Sequence, residues 1–192
     1  MEKILVFDGE FSIIINVLAL TYEGLLCHTY LMDNKEESVY WINENEDSVL
    51  VRIKGRATYL NCSSLNEFLQ KKLRENCVKY CFLFEECSGI DSTCLGILAG
   101  LALKLRNPGG LCIFSGLNAK LLETVKLLGL DLWVQLVDDI ARVEQVGFCL
   151  KNEQQRGVQS EFLLNAHKFL MEINAQNRVR FQDVVQYLSS QK

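Results

Sequence analysis

Proline is almost missing from this 192-residue chain, which has a single one, Pro108, and histidine is nearly as scarce, with His28 and His167 alone. One proline excludes polyproline linkers and proline-rich recognition tracts. Two histidines, and eight cysteines of which no pair is spaced C-x-x-C, argue against both disulfides and a metal site, so no metal and no cofactor are expected. Neither G-x-x-x-x-G-K-[ST] nor G-x-G-x-x-G follows an apolar run, which leaves a nucleotide cradle unsupported. Positive charge is also lacking: 20 Lys and Arg against 24 Asp and Glu give −4. Nothing in that balance draws in a phosphate backbone, so nucleic acid is not expected as a partner.

What the chain does contain is the material of a packed globule, with 49% hydrophobic and 23% charged residues. At roughly 150 residues per domain, it has room for one domain with appendages. The cysteines Cys27, Cys62, Cys77, Cys81, Cys87, Cys94, Cys112 and Cys149 mostly sit inside apolar runs, as in Tyr80-Cys81-Phe82 and Leu111-Cys112-Ile113. They read as small core residues of a reduced, cytoplasmic protein. Phe11 to Met32 is long enough to span a bilayer. Asn16, Glu23, Gly24 and His28 interrupt it, and Asp8 and Glu10 spoil the basic flank of a signal peptide. Residues 1–37 are therefore read as a β-rich extension, with strands over Lys3 to Phe7 and Ser12 to Leu20. Residues 33–47 carry a net −5 and mark a boundary.

From Glu46 the patterns become regular. Val49-Leu50-Val51-Arg52-Ile53-Lys54 has the period-2 alternation of a half-buried strand, ended by Gly55. Ser64-Leu65-Asn66-Glu67 fits a capping box, ahead of a helix with Leu65, Phe68, Leu69 and Leu73 on one stripe. Val78 to Phe84 is a run too short for a helix and apolar enough for a strand buried on both faces. After a brief loop, Asp91 is placed to cap a helix from Ser92 to about Arg106, in which Gly96, Ala99 and Gly100 permit close packing. A strand over Leu111 to Phe114, a helix capped by Asn118 and stopped by Gly129, and a short strand over Trp133 to Val137 complete the alternation. Strand and helix alternating at this spacing predict an α/β fold: a mostly parallel or mixed sheet of four or five strands with three to four helices. Residues 38–150 form this unit. In residues 151–192, apolar stripes (Phe162, Leu163, Ala166, Phe169, Leu170, Ile173, then Phe181, Val184, Val185, Leu188) predict a helical hairpin that buries against the domain or forms a homodimer contact.

Few residues are equipped for chemistry. Glu85-Glu86 and Asp138-Asp139 read as solvated or capping groups, and His167, four residues after Leu163, as the flank of an apolar stripe. The informative segment is Ser88-Gly89-Ile90-Asp91-Ser92-Thr93-Cys94-Leu95-Gly96, at a strand-loop-helix junction. Read as a hydrolase nucleophile, Ser92 lacks the G-x-S-x-G elbow, and the sequence offers it no convincing base. Read structurally, Asp91 is a cap and Ser92 and Thr93 are ordinary first-turn residues. A third reading makes Ser92 a substrate. A phosphate in a helix's first turn meets free amides and the positive dipole end. The fold survives the added charge while the surface beside Asp91 changes, as in a reversible docking switch.

Val51-Arg52-Ile53-Lys54-Gly55-Arg56, the helix after it, the buried strand, Ile90-Asp91-Ser92-Thr93 with Gly96, Gly109-Gly110 and Leu127-Leu128-Gly129-Leu130, in this order, resemble a STAS domain of the anti-sigma factor antagonist type. The resemblance spans roughly residues 48 to 139. It implies a non-enzymatic signalling protein that controls transcription by partner switching. The unphosphorylated antagonist binds an anti-sigma factor that is also a serine kinase of the histidine-kinase-like ATPase fold. Phosphorylation reverses the binding, and a metal-dependent serine/threonine phosphatase restores it. The family's phosphoserine maps onto Ser92, with Thr93 second, and partner contacts map onto Asp91, Ser92, Thr93, Cys94 and Thr58. Thr58 stands where many antagonists are acidic, Leu83 where a carboxylate or amide is usual, and Cys94 where glycine is usual. Two other roles are compatible with the same residues: an adaptor that is never phosphorylated, and a STAS module serving a membrane transporter, for which only residues 11–32 speak.

Overall fold

The computed structural model describes residues 39–106, 109–138, 147–150 and 160–190; the expected N-terminal strands and the apolar run at 11–32 lie outside them. The predicted alternation at Val49–Ile53 is realised in β2 (Ser48–Ala57). Val49, Val51 and Ile53 point into the main core, while Leu50 points to the opposite face of the sheet. The β2 backbone is paired on both edges. On one edge lies β3 (Lys79–Leu83), parallel to β2, and on the other β1 (Val39–Glu44), antiparallel to it. β3 is apolar on both faces, as its sequence predicts. Tyr80 and Phe82 join the main core, and Leu83 forms a small second cluster with Leu50 and Ile113 on the reverse face.

The sheet extends in parallel through β5 (Leu111–Ser115) to β6 (Gln135–Val137), and antiparallel from β1 to β7 (Phe148–Leu150). A further short strand, β4 (Cys87–Ile90), pairs in parallel with the far end of β2 beyond β3. Among the described residues seven strands thus stand where four or five are expected within the domain. The additions are β1, drawn from the acidic stretch read as a boundary, β7, and β4, drawn from the stretch read as a loop. β4 and β7 are short, at four and three residues, whereas β1 carries Tyr40 and Ile42 into the main core and its apolar half is hidden in the acidic stretch.

Three helices cross between the parallel strands: α1 (Ser63–Arg74), α2 (Ser92–Lys104) and α3 (Ala119–Leu127). α1 begins one residue before the predicted capping box, with Cys62 at the N-cap and no side-chain cap there. The Cys62 carbonyl accepts the Asn66 amide at 3.0 Å, so Ser64 lies within the first turn. The other two caps form as their sequences predict: Asp91 accepts from the Cys94 amide, and Asn118 from the Leu121 amide. Gly129 follows α3 with φ 72°, the left-handed conformation that stops a helix at little cost only when the residue is glycine.

The C-terminal segment folds as α4 (Ser160–Ile173) and α5 (Ala175–Ser189), joined at Asn174, whose side chain caps α5 through the Asn177 amide. Asn177 is wholly buried, and its amide nitrogen donates to the Leu128 and Leu170 carbonyls, tying the hairpin to the end of α3. The inward stripe of α4 is Leu164, Ala166, His167, Leu170 and Ile173, with Phe162 and Phe169 only half-buried. On α5, Phe181 is buried, whereas Val184 is exposed. Among the described residues no helix is long and apolar enough to cross a membrane.

Candidate functional site

The end of β2 and the whole of β4 run side by side, Ala57 opposite Ile90. That pairing brings the residues that follow each strand together, Thr58 to Asn61 from one and Asp91 to Cys94 from the other. The Asp91 amide donates to the Ala57 carbonyl at 3.0 Å. Its carboxylate does two things at once: one oxygen accepts the Cys94 amide at 2.9 Å and caps α2, and the other accepts the Tyr59 amide at 2.7 Å. Asn61 closes the same loop from within. Its carbonyl oxygen accepts the Thr58 amide at 2.8 Å and the Tyr40 hydroxyl at 3.2 Å, and its nitrogen donates to the Arg56 carbonyl at 2.9 Å. The loop is therefore held at both ends, with Tyr59 and Leu60 left 44% and 61% exposed beside the start of α2. Large apolar side chains kept in water on a braced loop fit a docking surface better than a core.

Ser92 occupies the first position of α2 and is half-buried rather than exposed. What covers it comes from 75 residues further along the chain: the Ser92 Oγ lies 3.2 Å from Nε2 of His167 on α4. The other ring nitrogen, Nδ1, lies 2.8 Å from the Leu163 carbonyl oxygen, one turn back on the same helix. A carbonyl only accepts, so Nδ1 carries the hydrogen. In the neutral ring Nε2 is then left as an acceptor, and the Ser92 hydroxyl donates to it. His167 is 6% exposed and packs at 5.5 Å against the Phe181 ring.

This meeting depends on how closely α4 approaches α2. A Cβ built on Gly96 falls 2.2 Å from the Ala166 carbonyl oxygen, so the two backbones are in contact at the residue preceding His167. Gly100, one turn on, faces the Phe169 ring. Ser92, Gly96 and Gly100 thus line one face of α2 at four-residue spacing, and α4 lies along it.

The remaining residues expected at the site sit differently. Thr93 is 4% exposed and Cys94 fully buried, Cys94 within the main core. The expected surface roles of Thr93 and Cys94 are therefore not available in this conformation. Cys94 instead faces Cys62, and that neighbouring thiol together with burial raises its pKa well above the ordinary thiol value. Thr58 is half-buried in the braced loop, and Leu83 belongs to the reverse-face cluster. His167, read in the sequence as a flank residue, is the participant that local pattern missed. Its one signal was position, within a stripe of apolar residues spaced for burial. Among the described residues no group of three or more His, Cys, Asp or Glu side chains is placed to hold a metal ion.

The family model described as the STAS domain matches residues 40–143, more than half of the chain. The chain belongs to the STAS domain family. The matched stretch takes in the sheet from β1 to β6 with α1 to α3, and it ends before the α4–α5 hairpin that brings His167 to this STAS domain's Ser92. No curated protein sequence matches the chain. Among solved structures it is similar to the anti-sigma factor antagonist SpoIIAA in its unphosphorylated form, at 14% identity and a TM-score of 0.46, covering 53% of this chain and 89% of that one. The phosphorylated form of SpoIIAA, the Bacillus cell fate determinant, is matched at 16% identity and 0.46, covering 53% and 91%. The Thermotoga maritima protein TM1081, a candidate anti-sigma factor antagonist, is matched at 20% identity and 0.48, covering 53% and 87%. Identities and scores this low transfer no role to this chain.

Proposed function

We propose that this STAS domain is an anti-sigma factor antagonist working as a phosphorylation-controlled partner switch in the cytoplasm. With Ser92 unmodified it binds an anti-sigma serine kinase of the histidine-kinase-like ATPase fold. Phosphorylation of Ser92 ends that binding, and a metal-dependent serine/threonine phosphatase restores it. The observation that carries this reading is the position of Ser92: first residue of a capped helix, partly open to solvent, and next to a braced loop that offers Tyr59 and Leu60 to a partner. The amides and dipole at the start of α2 accommodate a phosphate there without disturbing the fold. The same phosphate sets up to two negative charges beside Asp91, at the margin of an apolar docking surface.

Titration calorimetry of full-length wild type, Ser92→Ala and Ser92→Asp against each candidate anti-sigma kinase tests the reading. Ser92→Ala should bind persistently. Ser92→Asp should lose on the order of 3 to 5 kcal/mol at most, the scale of an unpaired charge in an interface. Equal binding by both variants to a kinase that wild type also binds would show an adaptor that docks by the same surface without a phosphate switch.

A further inference from the structure

We propose that Ser92 and His167 form an activated-serine dyad, in which His167 is the general base that takes the Ser92 hydroxyl proton when that oxygen attacks phosphorus. Biologically the inference rests on the reading of Ser92 as the phosphorylated residue, but the reactivity it implies can be measured without any kinase.

Three features of the geometry point to it. The Ser92 Oγ to His167 Nε2 distance of 3.2 Å is a hydrogen bond, and a base must reach the proton it removes in this way. The Nδ1 hydrogen bond to Leu163 at 2.8 Å fixes the tautomer that leaves Nε2 with a lone pair facing the hydroxyl. The ring is also held in place, buried, against Phe181, on a helix whose backbone touches α2 at Gly96. Nucleophile, base and a third group orienting the base make the arrangement that activates serine in general. A histidine buried only for packing would need no such alignment toward a helix-terminal hydroxyl.

In the biological step the Ser92 oxygen bonds to the γ-phosphorus of a nucleoside triphosphate held by the partner kinase. The bond from that phosphorus to the bridging oxygen breaks, the nucleoside diphosphate leaves, and the hydroxyl proton passes to Nε2. The imidazolium so formed faces the new phosphoserine, so the base of the forward step becomes a counter-ion for the product.

The test uses full-length wild type, His167→Gln and Ser92→Ala with diisopropyl fluorophosphate, followed by intact mass and peptide mapping. Here the Ser92 oxygen bonds to phosphorus, fluoride leaves, and the proton again goes to Nε2. Gln retains an oxygen that can accept the hydroxyl hydrogen but is not a base. Wild type is expected to be labelled at Ser92 about 10²-fold faster than His167→Gln, and Ser92→Ala not at that position. Labelling at equal rates in wild type and His167→Gln, or no label at Ser92 in wild type, overturns the dyad. Two readouts do not depend on the variant folding. Wild-type labelling should vanish in urea, and nitrogen-detected NMR of the His167 ring should find the hydrogen on Nδ1; a hydrogen on Nε2 overturns the proposal. A kinase that phosphorylates wild type and His167→Gln at the same rate would leave the switch standing and remove the base. A labelled Ser92 in a protein that no anti-sigma kinase binds would do the reverse.

Discussion

Gly96→Ala sets two effects of known size against each other. In an exposed helix interior, alanine in place of glycine stabilises by about 1 kcal/mol. Here the added methyl meets the carbonyl oxygen of Ala166 at 2.2 Å and its carbonyl carbon at 2.6 Å, backbone atoms that cannot swing aside. α4 must therefore move away from α2 by an ångström or so. It is not expected to detach, because Leu164, Leu170, Ile173 and Phe181 are buried in the docked hairpin and each is worth about 1.5 to 3 kcal/mol. The strained, shifted contact should cost about 1 to 3 kcal/mol before the propensity gain is counted, so a net loss of up to about 2 kcal/mol is expected. Gly100→Ala is the control. Its methyl meets the ring of Phe169, a half-buried side chain with room to turn, and the propensity term should nearly offset the clash. Urea unfolding of wild type and both variants, followed by far-ultraviolet circular dichroism, measures the difference. A Gly96→Ala protein more stable than wild type by the full propensity gain of about 1 kcal/mol would refute the claim that the α2 and α4 backbones touch there.

Other consequences follow from single contacts. Asp91→Ala removes both the α2 cap and the clamp on Tyr59, and should lower stability by about 1 to 2 kcal/mol; hydrogen exchange should also show the Tyr59 amide losing protection. Among the described cysteines, exposed Cys149 should react first with a disulfide reagent, half-buried Cys81 more slowly because burial pushes its thiol up to about 12, and fully buried Cys62 and Cys94 only on unfolding. Lys72 bonds Glu44 at 2.7 Å and Glu75 at 2.9 Å; the bonds to these two carboxylates raise its pKa, and the bond to Lys72 lowers that of Glu75. A depressed carboxyl stabilises above its ordinary pKa and stops doing so as pH falls through the depressed value. A raised lysine stabilises below its ordinary pKa and stops above the raised one. The stability gap between wild type and Lys72→Met should therefore be widest near neutrality and shrink at both extremes, measured by urea unfolding across pH.

How far the sequence discloses this fold depends on how local each feature is. Val49–Ile53 alternates because one face of β2 meets the core, and the caps at Asp91 and Asn118 use amides three residues away. These are readable within a turn or a strand. β4 is not, since its four residues become a strand only beside β2, and β7 depends in the same way on β1; β1 itself, with Tyr40 and Ile42 in the core, is masked by the acidic residues around it. The capping box at Ser64 is right in composition, yet Cys62 starts the helix because the loop bracing Asn61 sets where the chain enters it. At the site, Asp91 and Ser92 were legible as a helix start. That Thr93 and Cys94 are buried follows from α2 being covered on nearly every side, and His167 reaches Ser92 through a helix packing that joins residues 75 apart. Sequence pattern finds the glycines that allow that packing without revealing what is delivered to their end.

The central claim is that Ser92 is the phosphate-bearing residue of a switch. It is tested most directly by peptide mapping of full-length wild-type protein after incubation with ATP and each of its organism's anti-sigma kinases. One phosphate is expected, on Ser92, added by at least one of those kinases, with Thr93 unmodified in keeping with its burial. A kinase that binds the protein through this site yet leaves Ser92 unmodified, or places its phosphate elsewhere on the chain, would contradict it.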